Sequence, residues 1–458
     1  MTASLSGDLR LAWLLTRGSD RREWWRVLLT GMGALLATGF ALAAVTLSTL
    51  QGQYTVSVGN GLLSDPGTRS GVILALVLLL VPVLGFLGQC ARIGAVHRDR
   101  RLAALRLAGA SPRQVRRIAA LEAGLACLVG SAVGTVFFVL LMLSLWSGPT
   151  ALTWAGIVLV AVGVPALGAL VSALSLRRVV SSPLGWVRRV RTARRPGRSL
   201  LVGTLLIMVL ALPVFVSPYL DMGRGRPIQV ATVPLLVFAL VLVTGVGSVW
   251  LSGASARVLG RRLAARTDDP AMLIAAERLR DDPWAGARTN ASLLLVTVVG
   301  TGFAGVRQVL LADLHESRAR GTLGTSMSYY TTGINLTGAA ILVALLITLC
   351  GLAVGTAESL ATRRRGLAAQ AAAGVPRAVL GRALILETAL PLAPAMLVAG
   401  LGGAGICVWY ATVPEGTHAV PLLPLLVPVA VYAACLLAAA TSLPLLGRSV
   451  RPAELRFA

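Results

Sequence analysis

Residues 333–357 read GINLTGAAILVALLITLCGLAVGTA, an apolar run without a charged side chain. About 20 such residues cross the hydrocarbon core of a bilayer as an α-helix. Long apolar runs of this kind recur along the chain, and continuous runs do not suit a transmembrane β-barrel. The approximate limits of ten such runs are 27–50, 71–93, 118–145, 151–176, 199–217, 228–252, 291–311, 333–357, 379–410 and 421–446. The sequence therefore predicts an all-α polytopic membrane protein with about ten transmembrane helices.

The composition agrees with a lipid environment. Of the 458 residues, 56% are hydrophobic and only 13% are charged, and the mean hydropathy is +0.80. An average soluble domain carries about 25% charged residues. The formal net charge of +24 does not by itself indicate nucleic-acid binding, because basic residues of membrane proteins gather in their cytoplasmic loops.

The distribution of arginine predicts the orientation. All 42 basic residues are Arg. If the N-terminus is inside, the inside segments hold 36 of these and the outside loops hold 6. This imbalance follows the positive-inside rule and predicts a multi-pass protein of the cell membrane with cytoplasmic N- and C-termini. It also accounts for the net charge without nucleic acid as a partner.

The residue types exclude several chemistries. Without a Lys, the chain has no Walker A lysine for nucleotide phosphates and no Schiff-base amine. The five Cys lie singly in apolar runs, and the three His lack partners at ligand spacing, so no metal site is expected. No paired carboxylates or nucleophile motif occur. We expect no catalytic, cofactor-binding or metal residue, and therefore not an enzyme.

One cytoplasmic segment occurs twice. Residues 98–113 read RDRRLAALRLAGASPR, and residues 363–377 read RRRGLAAQAAAGVPR. The offset is 265 residues, with one gap placed so that Pro112 matches Pro376. A Leu-Glu pair follows each copy, ending at Glu122 and Glu387.

The apolar runs follow the same offset, so the first four correspond to the last four as a parallel repeat. This predicts three parts. Residues 1–196 form the first repeat, with an interfacial helix and spans one to four. Residues 197–269 form a central pair of spans and a linker, and residues 270–458 form the second repeat. Asp8, and Asp269 before Pro270, are expected to begin the interfacial helices.

In each copy, an Ala/Leu-rich stretch is followed by Gly and then Pro. Gly favours the end of a helix and Pro favours the start of the next one. The pattern predicts a short cytoplasmic helix that turns directly into a transmembrane helix. The alternative is a simple connector whose Arg residues only set the membrane orientation.

These residues resemble the FtsX-like, or MacB-type (type VII), family of ABC transporter permeases. The ten spans are similar to a branch of that family, but the large extracytoplasmic domain of its members is missing here. The resemblance implies a permease moved by a separate ABC ATPase, with two ATPase copies per chain and ATP and Mg²⁺ bound only there. It implies export or extraction of amphipathic or lipophilic molecules by mechanotransmission. The alternative is a non-transporting, ATPase-driven signalling or regulatory module.

The resemblance assigns ATPase coupling to the two repeated segments. The residues concerned are Arg100, Arg101, Leu105, Gly109, Ala110, Ser111, Pro112, Arg113, Arg364, Arg365, Gly374, Val375, Pro376 and Arg377. Glu122 and Glu387 lie about a turn inside their spans. We expect them to be structural or coupling charges that pair with neighbouring Arg116, Arg117 or Arg382, or that face the ATPase.

Overall fold

Helices make up all the regular structure of the described residues. The computed structural model describes residues 21–50, 63, 66–92, 107, 109–145, 149–175, 233–322, 324, 326–412 and 423–449. The chain divides into two compact units, Met1–Arg189 and Val190–Ala458.

Four long helices form the described part of the first unit. They are α1 (Arg21–Thr49), α2 (Pro66–Arg92), α3 (Pro112–Leu145) and α4 (Ala151–Ser175). Helix α1 packs against the other three, and α3 also packs against α4.

Five long helices and three short ones form the described part of the second unit. They are α5 (Val233–Ala264), α6 (Pro270–Asp281), α7 (Ala285–Ala319), α8 (Met327–Thr362), α9 (Arg364–Ala372), α10 (Arg377–Thr412), α11 (Leu426–Ala440) and α12 (Leu443–Ser449). A short 3₁₀ turn, Leu423–Leu425, leads into α11. The core of the unit lies where α7, α10 and α11 meet, around Leu294, Leu392 and Cys435.

The predicted class of all-α polytopic membrane protein is confirmed. Eight helices within the described residues are long and apolar enough to cross a membrane. Helix α2 occupies the predicted run 71–93 but has a shorter apolar part, residues 71–87. The predicted run 199–217 lies outside the described residues.

Two predicted limits were wrong because helices extend beyond their apolar runs. The run predicted at 228–252 belongs to α5, which continues to Ala264 through a basic last turn. The segment between the predicted runs 291–311 and 333–357 is mostly helical, since α7 continues to Ala319 and α8 begins at Met327. A helix can contain charged side chains once it has left the hydrocarbon.

An offset of 265 relates the helix limits and the helix pairs of the first unit to those of the second. An offset of 265 takes the start of α3, Pro112, onto the start of α10, Arg377. The helix pairs α1 with α3 and α1 with α2 correspond to α7 with α10 and α7 with α8, and all four pairs pack together. These starts correspond without a gap, whereas the sequence comparison places one gap so that the prolines match. The two prolines occupy neighbouring positions at the helix start instead.

Small residues allow close packing of helices inside each unit. A side chain at Gly130 on α3 would collide with the backbone of Gly31 on α1. In the second unit, a Cβ at Gly403 on α10 would lie 2.7 Å from the carbonyl oxygen of Val298 on α7. Close backbone approach of this kind is typical of transmembrane helix pairs.

The predicted helix after Asp269 is present as α6. The Asp269 side chain accepts a hydrogen bond of 3.3 Å from the Ala271 amide, and Pro270 is the first helical residue. One face of α6, including Ala275 and Leu279, is buried, and the helix packs against α5 and α10. The counterpart predicted after Asp8 lies outside the described residues.

Candidate coupling site

The second repeated segment folds into a short helix, a tight turn and the start of a long helix. Helix α9 follows α8 with only Arg363 between them, and α10 begins five residues after α9 ends. The turn has the hydrogen bonds of a Schellman motif, which ends a helix with a left-handed residue. The Val375 amide donates to the Gln370 carbonyl at 3.1 Å, and the Gly374 amide donates to the Ala371 carbonyl at 3.0 Å.

Gly374 supplies the left-handed residue, with a φ of +94°. Gly109, its equivalent in the first segment, has a φ of +93°. An L-residue in the left-handed region costs roughly 1–2 kcal/mol, and glycine avoids this cost. The glycine is therefore left-handed in both turns, although the residues that follow it differ.

The long helix begins differently in the two copies. In the first copy, the Ser111 hydroxyl accepts a hydrogen bond of 3.2 Å from the Gln114 amide, and Pro112 is the first helical residue. In the second copy, Pro376 stands at the position of Ser111, and its carbonyl accepts from the Val379 amide at 3.1 Å. In both copies the proline stands at the start of the helix, where an N–H would have no partner within the helix and its absence costs nothing.

A small apolar core lies beneath α9. Leu367 is only 1% exposed and belongs to a cluster with Leu360 of α8, Leu380 of α10 and Leu446 of α12. Val375, just after the glycine, packs against this cluster as well. The turn is thus fixed to three other helices by buried side chains.

The tip of the turn faces outward. The exposed residues there are Ala372, Ala373, Gly374, Pro376 and Arg377. Of the predicted coupling residues in this copy, Arg365 is also exposed, whereas Arg364 and Val375 are half-buried. Val375 therefore packs beneath the turn and is not part of its exposed tip.

The first segment is described only in part. Gly109 and Ser111 are exposed and Ala110 is half-buried, and Pro112 and Arg113 begin α3. The predicted residues Arg100, Arg101 and Leu105 lie outside the described residues.

Glu387 joins three elements around the second turn. Its carboxylate accepts from Arg363, between α8 and α9, at 2.6 and 3.0 Å, and from Arg278 of α6 at 3.1 Å. The side chains of Glu387 and Arg278 are only 21% and 19% exposed. Removing one partner of a buried ion pair is costly, because the other charge stays in a poorly solvated place.

The sequence suggested a different partner for Glu387. Arg382 instead forms an ion pair of 3.4 Å with Asp269, the N-cap of α6. The reason is helical geometry: positions five apart on a helix point in different directions, at about 100° per residue. Glu122, the equivalent residue on α3, is buried.

Sequence reasoning missed Arg278, Arg363 and Leu367 as parts of this site. Arg363 begins the second repeated segment, and Leu367 matches Leu102 in the first, so a signal existed for both. Arg278 lies 109 residues before Glu387, and no local pattern links the two.

Part of the chain matches a known family. Residues 72–184 match the family model described as FtsX-like permease C-terminal. The matched segment begins in α2, includes the first turn and α3, and ends beyond α4. At an offset of 265, the equivalent segment is 337–449, which begins in α8 and ends with α12. No curated protein matches the chain. The predicted resemblance to FtsX-like permeases is thereby confirmed.

Proposed function

We propose that a separate ABC ATPase drives this chain through the two glycine turns. By its matched domain the chain is an FtsX-like permease, a multi-pass membrane subunit of the ABC-transporter type. Its substrates are amphipathic or lipophilic molecules that are exported or extracted from the membrane. ATP and Mg²⁺ bind to the ATPase, and this chain contributes no catalytic group.

The observation that carries the proposal is the pair of left-handed turns at Gly109 and Gly374. Each leads within a few residues into a spanning helix, α3 or α10. A push on the tip of such a turn moves the helix behind it, because no flexible linker lies between them. A left-handed glycine ahead of each of these helices offers an ATPase dimer one contact in each unit.

The buried base of the second turn supports force transfer. Leu367 and Val375 anchor α9 and its turn to α8, α10 and α12 through closely packed side chains. Protein interiors are dense and poorly compressible, so displacement at the tip passes into these helices. A connector that only set the membrane orientation would not need such a core.

The Glu387 ion pairs support the same role. They tie the residue preceding α9 to α10 and α6 at one point. Through these ion pairs, movement of α9 is transmitted to α10, which crosses the membrane, and to the short helix α6 beside it. We infer that Glu387 couples these elements and does not contact substrate.

The stoichiometry follows from two turns in one chain. One permease chain carries both docking elements, so one chain and two ATPase subunits form the complex. Full-length tagged chain purified from its native membranes is expected to bring an ABC ATPase with it, at one to two by native mass spectrometry. In liposomes, amphipathic compounds are expected to stimulate ATP hydrolysis by this complex.

The control is the chain with Gly109→Val and Gly374→Val together, which is expected to insert into the membrane but lose the stimulation. A two-to-two complex, or unchanged stimulation in this variant, would contradict the proposal. If a second membrane protein stimulated hydrolysis while no amphipathic compound did, the regulatory alternative would be favoured.

A further inference from the structure

A cleft of about 600 Å³ opens beside the second turn, between the first ten residues of α10 and helix α12. This size is typical of sites for small ligands. Arg377 and Arg382 stand on its α10 wall. Apolar side chains form much of the remaining surface, namely Ile385, Leu386, Leu443 and Leu446. None of the lining residues is acidic.

The cleft lies at the edge of the membrane-spanning region. After Glu387, α10 continues from residue 388 to 412 without a charged side chain. At 1.5 Å per residue this stretch measures about 37 Å, enough to cross a hydrocarbon core of about 30 Å. Residues 388–412 alone are thus long enough to cross the hydrocarbon, so the charged residues between 377 and 387 can lie at the level of the lipid headgroups. Helix α12 follows α11 after a two-residue turn and borders the same zone.

The charge of the cleft is not balanced within the protein. Arg377 is exposed and has no ion-pair partner in the part of the chain that the structure describes. Arg382 is 67% exposed and has only the 3.4 Å contact with Asp269, so its charge is partly offset. A free guanidinium beside an apolar wall complements a molecule with a phosphate at one end and hydrocarbon at the other.

We propose that this cleft binds an anionic phospholipid of the adjoining leaflet. Arg377 is the principal ligand of the phosphate and Arg382 supplies a second positive charge. The acyl chain lies against Leu386 and Leu443. Basic pockets between transmembrane helices at the membrane surface are known to hold such headgroups. This site does not depend on the proposed ATPase coupling, and it gives Arg377 a role distinct from the ATPase contact expected from the sequence.

The test uses the full chain in neutral detergent. Native mass spectrometry and thermal unfolding are measured with phosphatidylglycerol and, in parallel, with phosphatidylcholine. The wild type is expected to bind phosphatidylglycerol preferentially and to unfold several degrees higher in its presence, since a ligand of the folded state stabilises it. Arg377→Gln is expected to bind about tenfold more weakly, as for loss of one charge-assisted hydrogen bond.

Two further variants separate the site from general effects. Gly447→Leu adds a side chain at the lining of the cleft, where a Cβ meets nothing within 4 Å, and it is expected to lower binding too. Arg262→Gln removes an exposed arginine at the end of α5, outside the cleft, and is expected to bind like the wild type.

Three results would overturn the proposal. The first is equal binding of the two lipids by the wild type. The second is unchanged binding in both Arg377→Gln and Gly447→Leu. The third is full competition by glycerol phosphate, which would indicate a site for free phosphate compounds.

Discussion

At the scale of single residues, two glycines stand out because their backbone requires them. Gly109 and Gly374 have φ values of +93° and +94°, and a Cβ added at either position would meet no atom within 4 Å. A lack of room for a side chain is therefore not the reason for glycine at these turns. Gly366 in α9 offers a matched comparison, since its surroundings are equally open but its φ is not positive.

Changing Gly374 to Ala is expected to strain the turn by roughly 1–2 kcal/mol, because Ala must adopt the left-handed region. Gly366→Ala is expected to be neutral or stabilising by up to about 1 kcal/mol, because Ala favours a helix more than Gly does. Thermal unfolding of both variants and ATP hydrolysis by the complex are the measurements. Equal effects of the two substitutions would show that backbone conformation at Gly374 is unimportant.

At the scale of elements, α6, α9 and α10 meet at Glu387. Two arginines from different elements share its carboxylate, and the group is largely shielded from water. Glu277 on α6 provides a contrast. Its ion pair with Arg280 is half-exposed, lies within one helix and joins no other element.

Glu387→Gln is expected to lower the free energy of unfolding by about 1–3 kcal/mol, less than for a fully buried pair because the site is partly exposed. It is also expected to reduce coupled ATP hydrolysis while leaving ATPase binding in place. Glu277→Gln is expected to change stability by less than about 0.5 kcal/mol. Denaturation and co-purification assays measure stability and ATPase binding. Coupled ATP hydrolysis at the wild-type level in Glu387→Gln would show that the Glu387 ion pairs take no part in coupling.

At the scale of the whole molecule, each unit presents one of the two glycine turns. The arginine imbalance of the sequence predicts that both turns lie on the cytoplasmic side. The short connection between α7 and α8, around Gly324, is then outside.

This topology is testable with single cysteines, after Cys350, which is exposed, has been replaced by Ala. A cysteine substituted for Gly324 is expected to react with a membrane-impermeant maleimide added to intact cells. One substituted for Ala372, the exposed last residue of α9, is expected to react only after lysis. Labelling of the 372 position in intact cells would contradict the orientation.

Local chemistry explains what could be read from the sequence alone. Apolar runs of spanning length determined the membrane class and most helix positions, because each helix satisfies its own backbone hydrogen bonds in lipid. The Gly and Pro signals located both turns, since φ preferences act on single residues. The 265-residue repeat then predicted that the two halves would pack alike. Helix ends beyond the membrane escaped prediction, because polar residues there permit either helix or loop.

Only the tertiary structure decided which distant side chains meet. Arg278 reaches Glu387 because α6 packs across α10, and Leu446 reaches Leu367 because α12 folds back beneath α9. The cleft at Arg377 likewise needs two helices that are separated by an entire membrane span in the sequence. Such contacts depend on how helices cross and rotate against one another. That geometry is set by the summed packing of many small contacts, which no local residue pattern encodes.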